Sequence, residues 1–221
     1  MNQLSRWYVL FDAAISLIER AEQTIGGRFL WSFGGGTALM LQIDHRESHD
    51  VDLFVDDVQV LPYLNPLTQE YTLTLPPDDY EADGTRMIKL IYHDVGEIDF
   101  ISCADITNLP NSTTVIRNVL VKLETPAEIV AKKIFYRGGT LQPRDMFDVA
   151  AVVHAKGDAY VLDAMQQCGS EKCAMALSAT ERFDADAARS VIERLMHRDQ
   201  MKALIPTARG MTIDLLRRAL G

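Results

Sequence analysis

The chain has 221 residues, of which 48% are hydrophobic, and a formal net charge of −9. That suits one large domain or two small ones around a packed core, and argues against wholesale disorder. No apolar run approaches the roughly 18 residues of a membrane-spanning helix. The charge also argues against a polyanion on the first half, because residues 1–123 carry 8 Lys and Arg against 18 Asp and Glu (a balance of −10), while residues 124–221 carry 14 against 13 (+1).

Residues 7–25 set Tyr8, Phe11, Ile15 and Ile18 at helical spacing, which predicts an amphipathic helix. Asp12 and Glu19 interrupt the run, so it does not read as a secretory signal. "GRFLWSF" is short, aromatic and glycine-flanked, and reads as a strand. "GGG" at Gly34–Gly36 is a turn, and "TALMLQI" opens a helix. "DVDLFV" alternates Asp50, Asp52 and Phe54 against Val51, Leu53 and Val55, the period of a strand. "YTLTL" and "RMIKLIYH" are further expected strands. "DVGE" turns the chain back into "IDFISC" as a hairpin, and "VIRNVLVKL" is expected as a last strand. At Thr125 the pattern changes. "TPAE" has the form of a capping box, in which Thr125 accepts from the Glu128 amide and Glu128 reaches back. Helical periodicity then runs to the end, with breaks at "RGGTLQP", "KGD" and "IPTARG". The expected organisation is a small mixed-sheet α+β core over residues 1–123, followed by an all-helical domain over 124–221. Cys103, Cys168 and Cys173 are an odd, sparse set, which points to a reducing, cytoplasmic setting. From Arg189 to Arg218 there are seven basic and three acidic residues, either a surface that tolerates a polyanion or ordinary solvated helix faces.

The chemistry concentrates around two short stretches. Asp50 and Asp52, at i and i+2 of a strand, share a face and repel unless a cation lies between them. Magnesium suits such a pair, because it takes carboxylates together with substrate phosphate oxygens. An exposed polar strand face explains the same spacing. Gly34, Gly35 and Gly36 let backbone amides approach an anion at a helix N-terminus, with Thr37 donating a hydroxyl, or they form a plain turn capped by Thr37. Taken together, glycine turn, helix and carboxylate strand return the chain to one end of a sheet. Asp99 is the best third carboxylate, on a neighbouring strand where it alternates with Ile98 and Phe100. Asp94 and Glu97 are assigned to the turn and are poorer candidates. On the helix after Thr125, Ala127, Val130, Ala131 and Ile134 form the apolar stripe. Lys132 lies opposite it and Lys133 nearer its edge, so Lys133 is the better placed to reach a ligand, or it is simply solvated. Asp145 and Asp148, at i and i+3, could act in a site, pair with Arg144 or Arg137, or stabilise a helix N-terminus. Arg46 and Ser48 either contact the nucleotide or order the turn before the strand. The five histidines have no metal-ligand spacing.

"GGGTALMLQIDHRESHDVDLF" resembles the signature of nucleotidyltransferases of the DNA polymerase beta superfamily. More closely, it resembles the AbiEii/AbiGii toxin family of abortive-infection and type IV toxin–antitoxin systems. The matching positions are Gly35, Gly36 and Thr37, then Arg46, Ser48, Asp50, Asp52, Leu53 and Phe54. A second block, "AKKIFYRGGTLQPRDMFDVAAV", matches at Lys133, Arg137, Gly138, Arg144, Asp145 and Asp148. The resemblance covers roughly residues 30–155. Asp44 departs from it, standing where the family usually has glycine before His-Arg. The resemblance implies transfer of a nucleoside monophosphate from a nucleoside triphosphate to an acceptor, with release of pyrophosphate and with Mg2+ or Mn2+ as cofactor. The metal would be held by Asp50, Asp52 and Asp99. Lys133 and Asp148 would join these as catalytic residues, and Gly35, Gly36, Thr37, Arg46, Ser48 and Lys133 would bind the nucleotide. An RNA acceptor, with tRNA 3′ ends a known case, and a cognate antitoxin are the implied partners, with no membrane role. Two alternatives stay open: a catalytically idle nucleotidyltransferase fold that binds protein, and a transferase with a small-molecule or protein acceptor.

Overall fold

The computed structural model describes residues 5–221. The chain divides into two compact units. The first holds the residues up to Ala38, Ser48–Ala104 and Asn111–Glu124; the second holds Leu39–Glu47, Asp105–Pro110 and Thr125–Gly221.

The first unit is built on strands β1 (Trp31–Gly34), β2 (Val51–Val55), β3 (Asp79–Ala82), β4 (Met87–Tyr92), β5 (Gly96–Ser102), β6 (Ser112–Ile116) and β7 (Val119–Leu123). Among the described residues they form one sheet in the order β3-β4-β5-β2-β1-β7-β6. The β2–β5 and β1–β7 pairs are parallel and the others antiparallel, so the sheet is mixed. The alternation of β2 sends Val51, Leu53 and Val55 to one face, where register sets Leu53 between Phe33 of β1 and Phe100 of β5. Helices α1 (Trp7–Ile25), α2 (Gly35–Ile43) and α3 (Leu61–Leu64) precede and interrupt these strands, and α1 and α3 pack on the sheet. α1 buries Leu10, Phe11, Ala14, Ile15, Leu17, Ile18 and Ala21, with the Phe11 ring 5.3 Å from that of Phe33. Each such large side chain contributes about 1.5–3 kcal/mol by leaving water. Tyr8, expected on the apolar stripe, is exposed.

Two strand expectations need correction. Residues 71–75 ("YTLTL") form no strand; the edge strand lies further on, at Asp79–Ala82. "VIRNVLVKL" is not one strand. Arg117 and Asn118, at φ 48° and 66°, make a two-residue turn that folds it into the β6–β7 hairpin.

In the second unit, α4 (Pro126–Arg137), α5 (Pro143–Lys156), α6 (Asp158–Gln167), α7 (Ser170–Arg182), α8 (Ala185–Glu193) and α9 (Ala208–Leu220) follow one another. Thr125 caps α4 by accepting the Glu128 amide at 3.2 Å. The Glu128 carboxylate does not reach back as the capping box predicts. It accepts the Ile106 and Thr107 amides, both at 2.8 Å, and so ties the 105–110 segment to α4. Phe147 and Ala150 of α5 pack with Ile192, Met201, Ile205 and Ala208 in the core. No helix among the described residues is long and apolar enough to cross a membrane.

Candidate active site

Strand pairing in the first unit lines up one row of residues on the sheet face opposite the core. Gly34 of β1 pairs with Asp52 of β2, Asp52 with Asp99 of β5, and Asp99 with Lys89 of β4. Asp52 and Asp99 are side by side because β2 and β5 run parallel in register. Asp50 lies one residue ahead of β2, and its Oδ1 accepts the Glu97 amide at 3.1 Å. Glu97, expected in the turn, belongs to β5. Gly35 starts α2 at φ 68°, and a Cβ there would stand 1.9 Å from Asp52 Oδ2. The Asp52 carboxylate therefore occupies the space that a side chain at position 35 would fill. Gly36 is half-buried in the first turn of the same helix. Thr37 is fully buried and donates its hydroxyl to the Asp50 carbonyl at 2.5 Å, so that proton holds the carboxylate segment in place.

Asp99 is 6% exposed. Burial, reinforced by the neighbouring Asp52 charge, pushes its carboxyl up to about 6, against the opposing pull of Lys89. Its buried Oδ1 lies 3.2 Å from the Lys89 ammonium. The Lys89 ammonium is 3.2 Å from Asp99 and also bonds the Glu97 carboxylate. Burial pulls the Lys89 amine down, but Glu97 and Asp99 outweigh it and hold it above its ordinary value. Among the described residues no three His, Cys, Asp or Glu side chains converge as a metal cage. A pair of adjacent carboxylates still fits a magnesium ion, which usually binds one or two carboxylates and completes its shell with water and phosphate oxygens. Lys89 was overlooked in the sequence, although the hairpin register could have found it: counting back from the turn, Tyr92 faces Gly96 and Lys89 faces Asp99.

The other candidate residues gather inside the second unit. Asp148 of α5 is fully buried. It accepts from Arg46 Nε at 2.7 Å and Nη2 at 3.0 Å, contacts His45 Nε2 at 2.9 Å, and lies 2.9 Å from Lys133 Nζ. Lys133 also bonds Asp145 at 2.5 Å, and Asp145 accepts the Gln142 amide at 3.1 Å at the start of α5. Burial alone would push the Asp148 carboxyl up; Arg46 and Lys133 overcome it and hold the group well below the usual carboxylate range. Burial likewise opposes the charge of Lys133, and Asp145 and Asp148 outweigh it. The partners of Asp145 and Asp148 are thus Lys133, Arg46 and His45 rather than Arg144 or Arg137. Ser48, in the first unit, is buried, and its carbonyl accepts the Ser5 hydroxyl at 2.5 Å. Asp44 sits at φ 44°, a conformation that favours glycine, and binds Arg198 Nε at 2.6 Å.

No curated protein matches the chain. Among solved structures it is similar to MenT4, a nucleotidyltransferase toxin from Mycobacterium tuberculosis H37Rv, at 15% identity and a TM-score of 0.53, with 96% of this chain and 87% of that one covered. It also aligns with JHP933 from Helicobacter pylori at 12% identity and a TM-score of 0.46, covering 99% and 94%. The family model described as nucleotidyl transferase AbiEii toxin, Type IV TA system, matches residues 26–214. The chain belongs to that AbiEii nucleotidyltransferase toxin family.

Proposed function

We propose that the chain moves a nucleoside monophosphate from a nucleoside triphosphate onto an RNA, with tRNA as the first candidate, as the toxin of a type IV toxin–antitoxin pair. The observation that carries the chemistry is the register that sets Asp52 beside Asp99, next to the Gly34–Gly35 turn. In this reading Asp50 and Asp52 would hold Mg2+ or Mn2+, and Asp99 stands beside them. When bound, such an ion neutralises triphosphate charge and favours attack at the α-phosphorus. Gly35 leaves room for the Asp52 carboxylate, and the first turn of α2, through Gly36, offers backbone amides to the triphosphate. The acceptor hydroxyl oxygen forms a bond to the α-phosphorus, the bond to the bridging oxygen breaks, and pyrophosphate leaves. Asp99, the carboxylate beside that pair, takes the hydroxyl proton. Thr37 acts by holding the Asp50 carbonyl. The ion cluster of Lys133, Asp148 and Arg46 supports a positioning role, in which their charges fix residues 45–46 and α5. The cognate partner would be an antitoxin protein.

The test is transfer of label from each of four α-labelled nucleoside triphosphates to total bacterial tRNA with magnesium, comparing the wild type with Asp52→Ala. Labelled RNA with the wild type alone supports the reading and names the nucleotide. A folded Asp52→Ala chain with full transfer would sink the carboxylate assignment. A folded wild type that labels no RNA but labels a protein or small molecule would overturn the acceptor.

A further inference from the structure

The β4–β5 hairpin gives Asp99 a cation of its own. The Lys89 side chain is 18% exposed and that of Asp99 8%, so the pair is largely withdrawn from water and weakly screened by it. The ammonium stands 3.2 Å from Asp99 and against the Glu97 carboxylate. The Glu97 amide in turn holds Asp50 Oδ1 at 3.1 Å. Lys89 is therefore built into the carboxylate row by strand register and by two anions, not draped over it. A divalent ion bound through Asp99 would have to sit beside this ammonium, and like charges at a few ångströms in a poorly solvated place cost more than about tenfold in affinity.

Resting on the nucleotidyltransferase reading above, we propose that Lys89 is the resident counter-cation of Asp99, so that the centre takes one divalent ion, at Asp50 and Asp52, instead of two. Lys89 is then a positioning residue. It supplies the positive charge at the Asp99 side of the row and keeps that carboxylate beside Asp52, available to the acceptor hydroxyl.

The experiment is a titration of the full chain with Mn2+ alone, following the free-ion electron paramagnetic resonance signal, with thermal melts to confirm folding. The wild type is expected to bind one ion that Asp52→Asn removes. Asp99→Asn, nearly isosteric, leaves the Lys89 charge unbalanced and should weaken that ion, while the number bound stays at one. Lys89→Arg keeps the charge and should behave as the wild type. Lys89→Met should gain a second ion, or bind about tenfold more tightly, and the Lys89→Met/Asp99→Asn double variant should lose that gain. Two ions on the wild type, one lost with Asp52→Asn and one with Asp99→Asn, would overturn the role of Lys89. That count reads out even if the methionine variant does not fold. If Asp52→Asn left Mn2+ binding unchanged, the metal reading itself would fail, and that result differs from every outcome that tests Lys89.

Discussion

Gly35 and Asp148 carry the sharpest consequences at the scale of single residues. An alanine at Gly35 must hold a left-handed backbone, at a cost of about 1–2 kcal/mol, and its Cβ would displace the Asp52 carboxylate. Gly35→Ala should lower the melting temperature modestly and cut transfer by roughly a hundredfold or more, since displacements near 1 Å have that effect on positioned chemistry. Melts and the labelling assay on the same sample check both. Asp148→Asn removes the anion shared by Arg46 and Lys133 and should cost about 3–5 kcal/mol in urea unfolding. The pH dependence has a definite sign. Asp148, and less strongly Asp145, have folded values below the ordinary one, so they bind fewer protons folded than unfolded near pH 4. Their stabilisation is present above the unfolded value of about 3.9 and is lost as pH falls through the folded values. Urea midpoints should therefore drop below about pH 4, and Asp148→Asn should flatten that drop.

Elements whose residues report on their own neighbours could be read from their order, and elements held by distant partners could not. The alternation in "DVDLFV" and "RMIKLIYH" is the pleat itself, so β2 and β4 followed from it, and for β2 the faces of its side chains. Residues 71–75 alternate just as well but have no partner strand; Tyr71 instead meets Thr24 of α1, with 3.0 Å between the two hydroxyls. The β6–β7 turn was missed because Arg-Asn lacks the glycine that usually marks a two-residue hairpin. Asn118 tolerates its φ of 66° better than most side chains. Asn118→Ala should cost about 1 kcal/mol in urea unfolding, and Asn118→Gly should cost nothing. Asp52 and Asp99 were readable as candidates from the strands that hold them. The partners of Asp148 were not, because Arg46 and His45 lie more than a hundred residues away in the chain and no local pattern joins them.

Charge sets the expectation for the whole molecule. The basic stretch from Arg189 to Arg218 is heavily paired: Arg189 with Glu193, Arg198 with Asp44 and Glu47, Lys202 with Asp199, Arg217 with Glu181, and Arg218 with Asp158 and Asp214. Little of that charge is left to displace counterions from an RNA. If tRNA is the acceptor, its KM should be high and should rise with a log–log salt slope of only about 2–3, the mark of a few phosphate contacts. Labelling at several sodium chloride concentrations measures it. A steep slope would mean that RNA binding breaks these ion pairs.

The division of the chain between its two units also limits how the protein can be cut or inherited. The second unit takes Leu39–Glu47 and Asp105–Pro110 from within the first half of the sequence. A fragment beginning at Thr125 would lack Arg46 and His45, leaving Asp148 buried with Lys133 and short of its other two partners. It would also lose the amides of Ile106 and Thr107 that satisfy Glu128. Such a fragment should fail to fold, and a gene broken or recombined anywhere between the codons for residues 39 and 124 would separate pieces that need each other. Neither half is a portable module, so a chimaera with a relative succeeds only if it exchanges the two early segments together with the helices they complete.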